Sequence, residues 1–470
     1  MRKTKVICTV GPASDNEATL IAMAKAGMNV ARCNFSHGDH PQHQARFEMI
    51  KKVREELNLP IAIMLDTKGP EFRTGNFKEG KVELKPGDKF IFTTRDVEGD
   101  QSMVSVSYKN LHEELEPGDT VLVNNGLAIF KVLEIKGQDV ICESVNGGTV
   151  SNHKSMSFPN KHLKQVFLSE NDKSDLLFGI ENGADFVAAS FVSCKQDMLD
   201  MRNFLDEHGG QDIEIIAKIE NRTGVNNIDE ICEIADGIMV ARGDLGVEVP
   251  FIEVPSIQKS LIKKCRMKGK VVITATEMLE SMINNPRPTR AEISDVANAV
   301  YDGTSAIMLS GESAGGKYPV EATQTMVKIA EFTESKINYE KLFNETNFEI
   351  RSDIDAVSHA AVDMAMDVGA KAIVVSSISG KTVRMVARFR APIDILGVTT
   401  SEKVWYKLGL SWGVTPAIAG KFDHTTPMFN NALNIAKMTF GLKKDDYVVL
   451  TGGNAGSQGK TNLIKLEAIK

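Results

Sequence analysis

The chain is 470 residues long, more than one hydrophobic core ordinarily serves, so about two to four domains are expected. Hydrophobic residues form 42% of it and charged residues 25%, the balance of a soluble globular protein, and aromatics at 6% leave the core to aliphatic side chains and Met. A formal net charge of −7 argues against a nucleic-acid partner, whose affinity comes largely from neutralised phosphates, while local clusters of basic residues still serve phosphorylated ligands.

Residues 1–11 start basic but lack a long apolar stretch, so no signal peptide is expected. No run approaches the roughly 20 apolar residues of a membrane span. Cys8, Cys33, Cys142, Cys194, Cys232 and Cys265 are scattered without a C-x-x-C pair, which disfavours a disulfide framework or zinc site and points to a cytoplasmic location.

Short β-branched runs at 5–9, 29–33, 61–66, 186–191, 213–219, 237–241, 271–275 and 306–310 read as buried parallel strands. Helical patterns fill the intervals, among them 17–26, 41–57, 172–181, 257–268 and 319–334. This α/β alternation predicts a (β/α)8 TIM barrel, with a doubly wound sheet as the alternative on pattern alone. Between the third and fourth strands the helical pattern fails over 70–168. Alternating strands at 81–84, 90–92, 120–123 and 140–143 are punctuated there by Pro86-Gly87, Pro117-Gly118 and Asn125-Gly126. A small inserted all-β domain is expected, dividing the barrel into 1–69 and 169–345. A C-terminal α/β domain over 346–470 follows from strands at 373–376, 393–398, 415–419 and 447–450 with helices at 356–368, 381–389 and 429–440.

Polar residues crowd the C-terminal ends of the barrel strands, where barrel active sites form. The second strand ends in Arg32-Cys33-Asn34-Phe35-Ser36-His37-Gly38, the third in Asp66-Thr67-Lys68-Gly69-Pro70-Glu71 with Arg73 beyond. Lys218-Ile219-Glu220-Asn221, Ala241-Arg242-Gly243-Asp244-Leu245-Gly246, Thr276-Glu277 and Ser310-Gly311-Glu312 close the fifth to eighth. Lys218 and Glu220 share a strand face. Glu220 and Asp244, on adjacent strands, suit a divalent cation completed by substrate oxygens and waters, with Lys218 a fixed positive charge for a transferring or developing anion. Gly243 to Gly246 reads as a Gly-rich turn presenting backbone N–H groups; Arg242 beside it reads equally as anion ligand or barrel-lip salt bridge. Asn34, Ser36, Asp66 and Thr67 carry oxygens with one formal charge, a set suited to a monovalent cation, although Ser and Asn at strand ends are more often caps. No His pair, Ser-His-Asp arrangement or P-loop is present.

These strand ends, together with Cys8-Thr9-Val10-Gly11-Pro12-Ala13-Ser14 and Asn285-Pro286-Arg287-Pro288-Thr289-Arg290-Ala291-Glu292, resemble the pyruvate kinase family in the right order over essentially the whole chain, as in its bacterial, K⁺-dependent members. The resemblance implies phosphoryl transfer from phosphoenolpyruvate to ADP, with Mg²⁺ (or Mn²⁺ in its place) and K⁺ as cofactors, and a homotetramer. It implies Asn34, Ser36, Asp66 and Thr67 as K⁺ ligands, Glu71 as the mark of K⁺ dependence, and Glu220 and Asp244 as Mg²⁺ ligands. Arg32, Lys218 and Thr276 become the catalytic residues, with Arg32 and Lys218 gripping the phosphoryl group. Ala241, Arg242, Gly243, Asp244 and Thr276 would surround the substrate carboxylate. Asn34, His37, Arg73 and Lys154 would meet the nucleotide.

The chain departs from the family pattern at Asn124-Asn125-Gly126, at Ser155-Met156-Ser157-Phe158-Pro159-Asn160 and at Glu277. In the last domain Ser376, Ser377, Ser379, Gly380, Lys381 and Thr382 precede a helix and resemble a phosphate-binding effector site, with a plain helix cap as the alternative. The facing loop 452–460 lacks Arg and Trp, which leaves a monophosphate effector, or none, open. A barrel lyase acting on an enolate of pyruvate is the rival enzyme. A metabolite sensor with a decayed site is disfavoured by the joint presence of Arg32, Lys218, Glu220, Asp244 and Thr276.

Overall fold

A computed structural model describes the chain except for residues 160, 162, 165 and 456–459. Eight parallel strands close into a barrel: Lys5–Thr9, Val30–Asn34, Ala62–Asp66, Phe186–Ala189, Glu214–Ile219, Gly237–Ala241, Val271–Ala275 and Ala306–Leu309. Every strand residue is buried but Asn34, which is half-buried. Helices cover the outer face while side chains fill the inner one, so both faces select apolar residues and the strands lose the alternation of a one-sided sheet. Side chains still alternate: Val6, Cys8, Ala31, Cys33, Ile63 and Leu65 join the layer under the helices. Ile7, Val30, Ala62, Met64, Phe186 and Ile216 fill the centre, with Tyr406 and Leu410 of the C-terminal region packed against them.

The helices begin and end where local chemistry dictates. Asn16 accepts a hydrogen bond from the Thr19 N–H to start Glu17–Ala26, and Gly27 closes it in the left-handed region. Ser169 with Asp172, and Thr289 with Glu292, form capping boxes on Glu170–Glu181 and Arg290–Asp302.

Between the third and fourth barrel strands, seven strands form one sheet in the order Phe72–Arg73, Ser155–Ser157, Thr120–Val123, Ala128–Lys136, Asp139–Ser144, Lys89–Thr93 and Met103–Ser105. A further pair joins Lys81–Leu84 to Gly148–Ser151. Phe90, Phe92 and Phe130 meet edge to face or tilted at centroid distances of 5.0–5.9 Å and anchor the separate core of these sheets. Asn124 and Asn125 both take positive φ, 56° and 55°, in the turn before Gly126; Asn tolerates this region better than most residues.

The C-terminal sheet runs Val414–Ile418, Asp394–Thr399, Ala372–Ser376, Tyr447–Gly452 and Leu463–Ala468, parallel except for the last strand. Its helices are Asp353–Asp367, Lys381–Ala387, Glu402–Leu408 and Thr425–Phe440. The sheet is tied to the N-terminal ends of the barrel strands. Arg384 pairs with Glu214 at 2.7 Å, Lys5 Nζ donates to the Val414 carbonyl at 2.7 Å, and the Arg54 guanidinium lies 3.5 Å from the Tyr406 ring centre. Among the described residues no helix is long and apolar enough to cross a membrane.

Because the Phe90 cluster is separate from the barrel core, its loss should be felt locally. Phe90→Ala is expected to cost about 3–5 kcal/mol, seen in hydrogen exchange as lost amide protection over the inserted sheets with the barrel strands unchanged. An equal loss of protection in the barrel would show the two cores to be one cooperative unit.

Candidate active site

The second, third and fifth barrel strands carry a buried charge cluster at their C-terminal ends. Arg32 Nε donates to Asp66 Oδ2 at 2.6 Å and its Nη1 to Thr9 Oγ1 at 2.9 Å. Lys218 Nζ lies 3.1 Å from Asp66 Oδ1, 2.9 Å from Glu220 Oε1 and 2.7 Å from Ser190 Oγ. Asp66 and Glu220 are 1% and 0% exposed, so both carboxylates have left bulk water. Burial alone would raise Asp66, but Arg32 and Lys218 outweigh it and hold the carboxyl below its ordinary range. Burial would likewise lower Lys218; Asp66 and Glu220 reverse that and keep the ammonium charged. Glu220 is pushed up to about 7 by burial, with Lys218 opposing and Asp244 adding like-charge repulsion. Its Oε2 accepts the Phe191 N–H at 2.6 Å, while Oε1 has an ion pair but no aligned hydrogen bond.

The backbone around the cluster is strained. Phe191, Thr276 and Glu277 have φ of 58°, 67° and 54°, a region that costs side-chain-bearing residues of order 1–3 kcal/mol each. Glu220 holds the first. Arg242 holds the others, with Nη2 2.7 Å from the Thr276 carbonyl and 3.2 Å from that of Glu277, and it pairs with Asp295 at 2.7 Å. Gly69 has φ +70°, and a Cβ there would come within 2.7 Å of the Ser190 Cβ, so the loop after the third strand lies against the Lys218 partner only as glycine.

Above the cluster a cleft of about 1050 Å³ opens between barrel and inserted sheet, lined among others by Glu71, Ser155, Phe191, Asn221, Asp244 and Glu248. Burial raises Glu248 to about 7, opposed by the nearby Ser157 side chain and Phe158 N–H of the inserted sheet. Family models match here. "Pyruvate kinase, barrel domain" covers residues 1–323 and "Pyruvate kinase, alpha/beta domain" covers residues 355–467. The chain belongs to the pyruvate kinase family.

The relatives are close along the whole length. The pyruvate kinase of Clostridium acetobutylicum is 48% identical with both chains fully covered, and that of Geobacillus stearothermophilus is 46% identical over all of this chain and 80% of its own. A crystal structure of a pyruvate kinase from Cryptosporidium parvum superposes with a TM-score of 0.95 at 37% identity, covering 99% of this chain and 96% of that one.

The structure brings the predicted residues together unevenly. Asn34 and Asp66 are register partners, the Phe35 N–H donates to the Asp66 carbonyl at 3.0 Å, and Thr67 Oγ1 accepts the Ser190 N–H at 3.2 Å. Ser36 sits in the exposed turn beyond, donating its N–H to Asn34 Oδ1 at 3.1 Å. Arg73 is bound to Glu71 at 2.8 Å and to the His153 carbonyl at 2.7 Å; Lys154 lies beside it, its backbone bonded to Thr74, and His37 is exposed. The Thr276 hydroxyl accepts the Gly243 N–H at 2.8 Å and donates to the Ala275 carbonyl at 2.6 Å.

One expectation is corrected. Residues 243–246 form no open turn; they lie within the helix Arg242–Glu248, which follows Ala241 directly. The Thr382 hydroxyl is buried and shares a 2.6 Å hydrogen bond with Thr461. Around it, the Ser377 and Ser379 hydroxyls accept the N–H groups of Gly380 and Lys381 at 3.1 and 3.4 Å, and Ser376 Oγ is buried without a partner. Within the facing loop 452–460, residues 456–459 lie outside the described residues, as does Asn160. Sequence reasoning missed Ser190 and Glu248. Ser190 is polar at the end of a barrel strand like the others, and that position was the available signal.

His43 supports the loop that carries Asn34 and Ser36. Its ring stacks on Phe35 at 3.8 Å, and Nε2–H donates to the His37 carbonyl at 3.0 Å, which leaves Nδ1 buried and unprotonated. Burial pushes its pKa down to about 4. A His depressed below its unfolded value stabilises the fold above about pH 6.5, and that contribution is lost as pH falls towards 4. Urea unfolding between these limits should therefore show a steeper loss of stability for wild type than for His43→Phe; equal slopes would remove His43 as the cause.

Proposed function

We propose that the chain transfers the phosphoryl group of phosphoenolpyruvate to ADP, giving pyruvate and ATP, at the mouth of the barrel. The observation that carries this is Lys218, kept charged in a buried cage of Asp66, Glu220 and Ser190 beneath an open cleft. A phosphoryl-transfer transition state is mostly charge to be neutralised and positioned. Lys218 and Arg32 would grip the transferring group, both already oriented by Asp66, so little reorganisation remains when the substrate arrives. Asp66 between them also offsets their mutual repulsion.

The donor set fits the implied cations. Two carboxylates, Glu220 and Asp244, one with an oxygen lacking an aligned hydrogen bond, match the sparse protein coordination of Mg²⁺ or Mn²⁺, and Asn34, Ser36, Asp66 and Thr67 offer mostly neutral oxygens for K⁺. When bound, these ions would supply positive charge opposite the phosphoryl oxygens and the enolate. The Thr276 hydroxyl would exchange its Ala275 carbonyl for the substrate carboxylate or for the water that protonates the enolate. His37, Arg73 and Lys154 would meet the nucleotide. The inserted domain, 70–168, would close as a lid and exclude water. A phosphorylated effector at Ser376–Ser379 and Lys381 would have to recruit the Ser376 hydroxyl and displace the caps now in place. The exposed side chains of Ser379 and Lys381 support that reading.

In a coupled assay of pyruvate formation, Lys218→Met is expected to lower kcat by ~10²–10³ with a smaller change in KM. A variant keeping more than about a tenth of wild-type kcat would contradict the role.

Replacing K⁺ by tetramethylammonium should remove most activity, and Glu71→Lys should relieve the requirement by placing a fixed cation beside the same oxygens. Full wild-type rate without K⁺ would sink the monovalent site.

A further inference from the structure

A second cluster of charge lies at the opposite end of the barrel, where the C-terminal sheet meets the N-terminal ends of the seventh and eighth strands. A narrow pocket there, partly open to solvent, is lined by Arg266, Lys270, Arg384, Arg388, Arg390 and Ser411. Glu214 answers Arg384 and Lys407, and Asp355 answers Arg388 at 3.0 Å. Asp236 lies near enough to be felt by Arg384 and Lys270. Among the described residues Arg266, Lys270 and Arg390 have no carboxylate partner at salt-bridge distance.

The donors are unsatisfied as well as the charges. Nε of Arg266, Arg384, Arg388 and Arg390 and the Ser411 hydroxyl are buried without a hydrogen-bond partner. Arg266, Arg388, Arg390 and Ser411 are 8%, 5%, 4% and 2% exposed, so water does not reach most of these groups from outside. Native proteins leave few such groups, and buried charge without a counter-charge is costly. Burial holds Arg266 below its ordinary range, and Arg390 is held well below it by burial and by Arg266 nearby. An anion seated among them would satisfy the donors and remove that repulsion together.

We propose that this cavity binds a compact dianionic oxyanion, either inorganic phosphate or the phosphoryl end of a small ester, and that the anion ties the C-terminal sheet to the barrel floor. Guanidinium groups present planar donor pairs suited to tetrahedral oxyanions. The lining comes from both sides of the seam: Arg266 and Lys270 from the barrel, Arg384, Arg388, Arg390 and Ser411 from the C-terminal region. The site is distinct from the barrel mouth and from the Ser376–Thr382 loop.

The test uses the full-length chain carrying Lys218→Met and Lys381→Met, which weakens phosphate contacts elsewhere. Binding is read as a saturable rise in thermal midpoint with inorganic phosphate, at ionic strength matched with chloride. Arg266→Met is the decisive addition, because Arg266 makes no hydrogen bond among the described residues that its loss would break. It should raise the half-saturating phosphate concentration about tenfold or more, with a smaller rise for Lys270→Gln, which serves alone if Arg266→Met fails to fold. Methyl phosphate separates the sources: a response equal to that of phosphate assigns the cavity to an ester's phosphoryl end, and a response to phosphate alone assigns it to the free anion. An unchanged phosphate response in both variants, or a parent response no greater than that to chloride, overturns the proposal.

Discussion

The site depends on one constraint, which is that Asp66 must answer two cations at once. Its two oxygens take Arg32 at 2.6 Å and Lys218 at 3.1 Å, and it is itself 1% exposed. Neither a lone buried carboxylate nor a lone buried ammonium would stay ionised there. Removing one member of such a pair typically costs about 3–5 kcal/mol, because the survivor is left charged and dry. The members of the cluster therefore hold one another in place, and that requires strands two, three and five to end at fixed heights. The parallel register provides this: Asn34 stands opposite Asp66, Asp66 opposite Ala188 of the fourth strand, and Ala188 opposite Ile216 of the fifth. The apolar barrel centre holds that register, so core packing sets the position of the charges.

Strain is concentrated where the charges are. Phe191, Thr276 and Glu277 sit in the left-handed region at the ends of the fourth and seventh strands. Each is held by a charged side chain bonding its backbone: Glu220 to the Phe191 N–H, Arg242 to the Thr276 and Glu277 carbonyls. Glu220 thus has two tasks, fixing a strained peptide with one oxygen and facing Lys218 with the other. That divided use explains why Oε1 lacks an aligned hydrogen bond in a place where most buried oxygens have one.

The barrel was legible because burial on both faces leaves uninterrupted apolar strands, and the strand ends were legible because charge there cannot be a surface accident. What escaped notice had weaker local signals. Leu463–Ala468 is an edge strand with Lys465 exposed and Glu467 half-buried, so its sequence carries little of the apolar signal. Residues 243–246 looked like a turn because two glycines flank Asp244. The helix forms because Leu245 is buried in the barrel's outer layer, an interaction no local pattern contains. The role of Arg242 was undecidable from sequence for a similar reason: its partner Asp295 lies on a helix beyond the next barrel strand. The Ser376–Thr382 loop reads both ways from sequence because hydroxyls that cap a helix and hydroxyls that hold a phosphate are the same residues, and only the Thr461 partner of Thr382 adds what no local pattern contains.

The fifth strand joins the two charged ends of the barrel. Glu214, at its start, takes Arg384 of the helix Lys381–Ala387 at 2.7 Å; Lys218 lies four residues on with the same strand parity, roughly 13 Å away at the rise of a parallel strand. Contact of this kind is a path but not yet a coupling, which needs an element with two arrangements. The strand itself cannot be that element, since it is hydrogen-bonded on both edges and buried along its whole length. The seam beneath it differs: its cations outnumber their carboxylate partners and its donors are incompletely used. A second arrangement would break fewer backbone hydrogen bonds there than in the strand itself. The place where the C-terminal sheet bears on Glu214, and not the strand above it, is therefore where the relation between the two ends of the barrel can change.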